Sequence, residues 1–138
     1  MTDCIFCKII AGELPSSKIY EDENTLAFMD IGPVMKGHAL VIPKVHCDPI
    51  TDAPDEALSH TIKSVKKVAN AIKKGLRADG INVAQANGKS AGQLVPHVHF
   101  HLIPRYDDEP QPRNWIPGEY DSMDEMNEYC EKIRSGFE

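Results

Sequence analysis

No apolar run in this 138-residue chain exceeds four residues, as at Cys4 to Cys7 and Ala39 to Ile42. A membrane-spanning helix needs about 20, so no span is expected. The start, Met1 to Lys8, lacks the basic residues, apolar stretch and small-residue cleavage site of a secretory signal, which makes the cytoplasm the expected compartment. Basic residues are outnumbered, 15 Lys and Arg against 21 Asp and Glu. The excess is local: residues 107–138 hold ten acidic and three basic side chains, and the rest of the chain is close to neutral. With no basic stripe to track a phosphate backbone, a DNA or RNA polymer is excluded as partner, although a small anionic ligand is not. Four cysteines in a cytosolic chain make no disulfide framework. Internal repeats and low-complexity segments are lacking too.

What is present is the balance of a globular protein, 41% apolar and 26% charged residues, in a length that suits one domain, 1–138, with 107–138 as an acidic extension. Apolar residues at 5, 6, 9, 10 and 14 predict a short helix over Cys4 to Leu14, ending near Gly12. Lys18 to Glu21 and Thr25 to Asp30 read as a hairpin across Glu21-Asp-Glu-Asn24, and His38 to Ile42 as a third strand stopped by Pro43. From Pro54 to Leu76 the apolar positions Leu58, Ile62, Val65, Ala69, Ile72 and Leu76 form one helical stripe, with Asp52 as candidate cap and a solvated lysine face opposite. Ile81 to Ala86 and Val95 to Ile103 read as strands four and five, the last stopped by Pro104. After a Pro-rich loop holding Trp115, Ser122 with Glu125 three residues on has the spacing of a capping box and opens a final helix to Ile133. Short connections between consecutive strands favour an antiparallel five-stranded sheet, with one long helix, a short N-terminal helix and a C-terminal helix: an α+β class.

The richest segment is Pro96-His97-Val98-His99-Phe100-His101-Leu102-Ile103-Pro104. Strand side chains alternate between faces, so His97, His99 and His101 share one face, and Val98, Phe100 and Leu102 share the other. On a helix the same spacing would scatter both sets. One metal ion held by all three is disfavoured, because strand rise puts the outer pair about 13 Å apart and metal–nitrogen bonds are near 2 Å. Catalysis fits better. A neutral imidazole is a nucleophile near neutral pH, and a neighbouring ring can donate to an anionic oxygen.

The sequence His97-Val98-His99-Phe100-His101-Leu102-Ile103 resembles the histidine triad (HIT) motif. The resemblance continues over Cys4 to Pro15, Leu26 to Pro33, Gly37 to His46 and Asn87 to Arg105, in the order of the bacterial branch related to nucleoside phosphoramidases. It implies a nucleotide hydrolase or transferase that cleaves nucleoside 5′-phosphoramidates, or related mononucleotide derivatives, at the α-phosphorus. His99 would be the nucleophile of a covalent nucleotidyl-histidine. The His97 carbonyl would hold its other ring nitrogen, and His101 would donate to a phosphoryl oxygen. By the same resemblance Asn87 and Gln93 contact phosphate and Asp30 clamps the ribose hydroxyls. Phe6, Ile9, Leu14, Phe28 and Ile31 match base-pocket positions, for which ordinary core is the plain alternative. A purine mononucleotide derivative as ligand and a homodimer are implied as well. One departure stands out: Leu94 occupies a position where many relatives carry Ser or Thr, so the leaving-group preference is open.

Cys4 and Cys7, spaced C-x-x-C, fit a redox pair poorly because only three residues precede them. With His46 and His97 they could close a tetrahedral, structural Zn²⁺ site. Some HIT branches and the related galactose-1-phosphate uridylyltransferases carry similar positions; buried thiols without metal are the alternative. No catalytic metal is expected, and His38 is assigned no chemistry. Two rival functions remain: dinucleoside polyphosphate hydrolysis through the same nucleophile, and a non-catalytic nucleotide-binding or zinc-stabilised adaptor. A DNA-end-processing HIT enzyme is disfavoured by the lack of a basic patch.

Overall fold

The computed structural model describes residues 3–110 and 113–138; Met1, Thr2, and Gln111 and Pro112 of the Pro-rich loop lie outside them. In chain order the elements are α1 (Ile5–Ile10), β1 (Lys18–Glu21), β2 (Thr25–Met29), β3 (Ala39–Pro43), α2 (Asp55–Leu76), β4 (Gly80–Ala84), β5 (Phe100–Arg105) and α3 (Met123–Ser135). Short 3-10 turns at Ile50–Asp52 and Lys89–Ala91 flank α2 and β5. All five strands form one antiparallel sheet in the order β1-β2-β3-β5-β4, the expected α+β class.

The sheet is covered on both faces, which is why β2 and β3 read as unbroken apolar runs. Ala27, Met29, Ala39 and Val41 point to one side, where they meet Val65, Val68, Ala71 and Ile72 of α2 and Met126, Cys130 and Ile133 of α3. The acidic extension therefore supplies part of the main core. Leu26, Phe28, Leu40 and Ile42 alternate to the other side and pack beneath α1, against Phe6 and Ile9. The hairpin is closed by Asp22, whose Oδ1 accepts the amides of Asn24 and Thr25. Ser122 caps α3 by accepting the amide of Glu125 at 3.1 Å.

Four expectations are corrected. The buried face of α2 keeps Val65 and Ile72 of the expected stripe, with Ala69 and Leu76 packed at its edge, but runs through Ala57, Thr61, Ser64, Val68 and Ala71 rather than Ile62, which is half exposed. Small and hydroxyl side chains let the helix lie close to the sheet. Their polar atoms stay satisfied: Thr61 Oγ1 donates to the Ala57 carbonyl at 2.7 Å, and the Ser64 and Thr25 hydroxyls pair at 2.7 Å. Asp52 sits in a 3-10 turn, and Pro54 occupies the N-cap of α2, leaving that cap without a side-chain bond. Pro104 does not stop β5, because the pairing with β3 has already ended at Leu102, so the missing N–H costs no bond on that side. Finally, β5 begins at Phe100 rather than Val95. The His97 amide bonds back to the Val95 carbonyl across Pro96, and the Val98 amide donates to Cys47, so this stretch turns away before joining the sheet.

Helices α2 and α3 cross at glycines. A Cβ on Gly75 would run into the carbonyl of Lys132, and one on Gly136 into that of Ala71. In an open helix Gly→Ala stabilises by about 1 kcal/mol. Here Gly75→Ala is expected to destabilise by roughly 1–3 kcal/mol through overpacking. Urea denaturation checks this; an unchanged or raised midpoint refutes the close crossing.

Candidate active site

The histidines sit on the α1 side of the sheet. In the β3–β5 register His101 lies directly opposite Leu40, a residue of the α1-side cluster, so the two share a face. His99 precedes β5 by one residue and stands beside His101, ring centroids 4.9 Å apart at 65°. The edge-on ring of Phe6 in α1, 5.0 Å away, walls its other side. The alternate residues Val98 and Leu102 are fully buried, as the period-two pattern requires.

The turn at Pro96 breaks the expected row of three, because the His97 ring leaves it for the cysteine cluster. His97 Nε2 lies 2.9 Å from the carbonyl of Pro43. A carbonyl only accepts, so the proton is on Nε2 and the lone pair of Nδ1 faces the sulfurs of Cys4 at 3.4 Å and Cys7 at 3.7 Å. His46 Nδ1 lies 3.3 Å from the Cys7 sulfur. Zinc–sulfur and zinc–nitrogen bonds of ordinary length give a tetrahedron with S···N edges of about 3.5 Å. The four residues expected to bind zinc thus converge, with donor atoms all within 4.8 Å of one another. A buried thiol and a half-buried one, facing an imidazole lone pair, are a fitting donor set for Zn²⁺.

The backbone carbonyl of the same His97 accepts from His99 Nδ1 at 2.7 Å. That leaves the lone pair of His99 on Nε2, the state an imidazole nucleophile needs. His99 is 7% exposed, so neighbouring side chains cover most of its ring. Burial pushes His97 and His38 below the usual imidazole range; burial and the neighbouring imidazoles of His99 and His38 push His101 down to about 4. These three rings are neutral at pH 7.

Asp30 follows β2 with one oxygen accepting the Gly32 amide at 2.8 Å and the other 3.5 Å from His38 Nε2. Of the apolar residues matched to the base pocket, Phe6, Ile9 and Phe28 are buried together beneath α1, whereas Ile31 is 77% and Leu14 37% exposed. The two amides matched to phosphate hold the loop before β5. Gln93 accepts the Gly88 amide and donates to Asp48 and the Val95 carbonyl, and Asn87 accepts the Ile50 amide. Sequence reasoning placed His38 on the third strand behind the site and assigned it no chemistry. Its signal was a histidine heading the apolar run Ala39 to Ile42; it is 2% exposed and hydrogen-bonds His101 at 3.0 Å.

A fold of this kind, carrying two paired imidazoles at one sheet strand and a third in a cysteine cluster, defines a histidine-based catalytic domain. Residues 11–108 match the HIT domain. A HIT-like protein of Methanocaldococcus jannaschii is 55% identical over 104 residues, covering 75% of this chain and 80% of that one. The adenosine 5′-monophosphoramidase of Candida albicans is 41% identical over 135 residues, covering 95% of this chain and 89% of that one. The crystal structure of a zinc-bound histidine triad family protein from Mycobacterium smegmatis superposes with a TM-score of 0.88 at 36% identity, covering 99% of this chain and 94% of that one. The chain belongs to the HIT family.

The depressed His101 has a consequence for stability. Between pH 6.5 and about 4 the unfolded chain protonates this imidazole and the folded one does not, so folding weakens as pH falls through that window. His101→Gln removes the effect. Its stability relative to the parent is expected to improve by on the order of 2 kcal/mol between pH 7 and pH 4.5. Denaturant titrations at both pH values decide; parallel curves refute the shift.

Proposed function

We propose that the chain is a nucleotide hydrolase that cleaves nucleoside 5′-phosphoramidates, or related mononucleotide derivatives, at the α-phosphorus. The bond from His99 Nδ1 to the His97 carbonyl carries this reading, because it leaves Nε2 free to attack. His99 Nε2 bonds to phosphorus as the P–N bond breaks, the nitrogen taking a proton from solvent and leaving as the amine; water then hydrolyses the nucleotidyl-histidine, which releases the mononucleotide and frees His99. His101 donates to a phosphoryl oxygen and stabilises the charge that develops there. Asp30 accepts the ribose hydroxyls. Ile31, exposed beside it, and Leu14 extend the apolar wall of Phe6, Ile9 and Phe28 toward a purine base. Asn87 and Gln93 contact phosphate by exchanging bonds they now make within their loop.

Zn²⁺ held by Cys4, Cys7, His46 and His97 would staple α1 to the turn before β5, a structural role; catalysis uses no metal. The described cysteines are free, which suits a reducing compartment such as the cytoplasm, and among the described residues no helix is long and apolar enough to cross a membrane. Strand β4 is a sheet edge with Val83 half exposed, and pairing with a second copy there would give a homodimer. Leu94, 91% exposed, offers no hydroxyl to a leaving group; cleavage of dinucleoside polyphosphates through the same histidine is the second reading.

Mass spectrometry after a short pulse of adenosine 5′-phosphoramidate is expected to find one nucleotidyl group on His99. His99→Ala should fold, take up no label and lose turnover by at least about 10⁴-fold. A folded His99→Ala protein with full activity ends the proposal, and labelling only by a diadenosine polyphosphate moves it to the second reading. For the metal, one zinc per chain is expected in the parent and none in Cys4→Ser; a metal-free parent refutes the site.

A further inference from the structure

The loop that enters β5 is tied to the segment after β3 at three points, which run in opposite order along the two stretches of chain. The Cys47 carbonyl accepts the Val98 amide at 2.9 Å. Asp48 Oδ1 accepts from Gln93 Nε2 at 2.7 Å. The Ile50 amide donates to Asn87 Oδ1 at 2.8 Å. Two of these bonds end on residues matched to phosphate, and Asp48 is the one member of its segment that ties with a side chain. Gln93 is 7% exposed, and its partners fix which way the amide faces. The Gly88 amide donates to Oε1 at 2.6 Å, so the oxygen faces Gly88. The Val95 carbonyl and the Asp48 carboxylate are acceptors, so the nitrogen faces both, at 2.8 and 2.7 Å. Turned over, the amide would set its oxygen against two acceptors and its NH2 against an N–H. The main chain closes on itself here as well: the Ala91 and Gln93 amides both donate to the Gly88 carbonyl at 3.1 Å. Whatever holds Gln93 therefore holds the whole turn.

We infer that Asp48 is a positioning residue: its carboxylate holds the Gln93 amide and, through it, the turn over residues 88–93 that meets phosphate. Gln93 bonds to Gly88 and Val95 inside the loop, whereas its bond to Asp48 crosses to the other segment. When a phosphoryl group takes the place of an internal bond, the crossing bond stays and keeps the amide in reach. The crossing bond follows from geometry alone; that the turn serves phosphate rests on the hydrolase reading above. Asp48 also lines the cleft beside Cys4 and His46. It is not one of the four residues whose donor atoms converge there, so the metal site does not require it.

The geometry supplies a discriminating pair of variants. Asp48→Asn keeps an oxygen acceptor where Oδ1 stands, and Asp48→Ala removes it. Nitrogen-15 NMR of the parent is expected to show both side-chain amide protons of Gln93 hydrogen-bonded. In Asp48→Ala one of them should move to the position of an unbonded amide, and hydrogen exchange at the Gly88 amide should quicken about tenfold or more. Asp48→Asn should leave both signals in place. With adenosine 5′-phosphoramidate, kcat/KM should fall about tenfold or more in Asp48→Ala, since a displaced contact loop misaligns the reacting groups. Asp48→Asn should stay within about threefold of the parent. The test of action through Gln93 is a double-mutant cycle: in a Gln93→Ala background, Asp48→Ala should change kcat/KM by less than about twofold, whereas a merely structural role would add its full loss again. Metal content, measured on the same samples, should match the parent in every variant. Additive losses overturn the inference, as does equal damage in Asp48→Asn and Asp48→Ala, an unmoved Gln93 signal in Asp48→Ala, or a loss of activity that tracks lost metal. A parent that turns over no nucleoside phosphoramidate overturns the hydrolase reading instead, and the NMR result still judges Asp48.

Discussion

The carbonyl of His97 sets the chemistry available to His99. It accepts the Nδ1 proton at 2.7 Å and so places the lone pair on the opposite nitrogen. A carboxylate could hold the same proton, but would add a negative charge next to an anionic substrate. A backbone carbonyl fixes the tautomer without that charge. It depends on the local turn for its direction. That turn is pinned three times: by the His97 amide to Val95, by the Val98 amide to Cys47 and by the His97 ring to Pro43 at the end of β3. The His99 ring is thus oriented by a main-chain carbonyl whose own direction is set by two main-chain bonds and one buried ring.

The same principle runs through the site. Val34 donates a backbone amide to His38, as His97 gives a backbone carbonyl to His99. Each main-chain group decides the protonation pattern of one ring, and His38 passes the decision on to His101. Burial keeps His38 and His101 uncharged at neutral pH, so there hydrogen bonds determine which nitrogens are donors. The sheet makes this affordable because both its faces are packed, and the backbone that presents the rings is held from two sides. Helix α1, only six residues long, could not persist alone. It covers the histidine face because Phe6 and Ile9 are anchored in the core and because Cys4 and Cys7 reach His97 and His46.

Much of this was legible residue by residue. The alternation over 98–103 placed Val98 and Leu102 in the core and His99 and His101 on the opposite face, as found. The hairpin, the sheet class, α2 and the Ser122 cap also follow from local pattern. The buried stripe of α2 did not, because hydropathy ranks Ile62 above Thr61 and Ser64, whereas close packing against Thr25 rewards small hydroxyl side chains whose bonds are satisfied. The start of β5 did not either. An alternating pattern marks what could be strand, and the turn at Pro96, with the Val98 amide bonded to the Cys47 carbonyl, removes residues 95–99 from the ladder.

By itself the chain determined that His99 shares a face with His101 and Val98 with Leu102, since alternation follows from backbone stereochemistry, and it determined the family through the spacing of its histidines. Only the tertiary structure decided what each imidazole does. Proton positions depend on partners far away in the chain: Cys4 lies 93 residues from His97, and His38 lies 63 from His101. No periodicity encodes such partners. They are brought together by the order of strands in the sheet and by the helix laid across it, and that is where three similar histidines become a candidate nucleophile, a candidate donor and a candidate metal ligand.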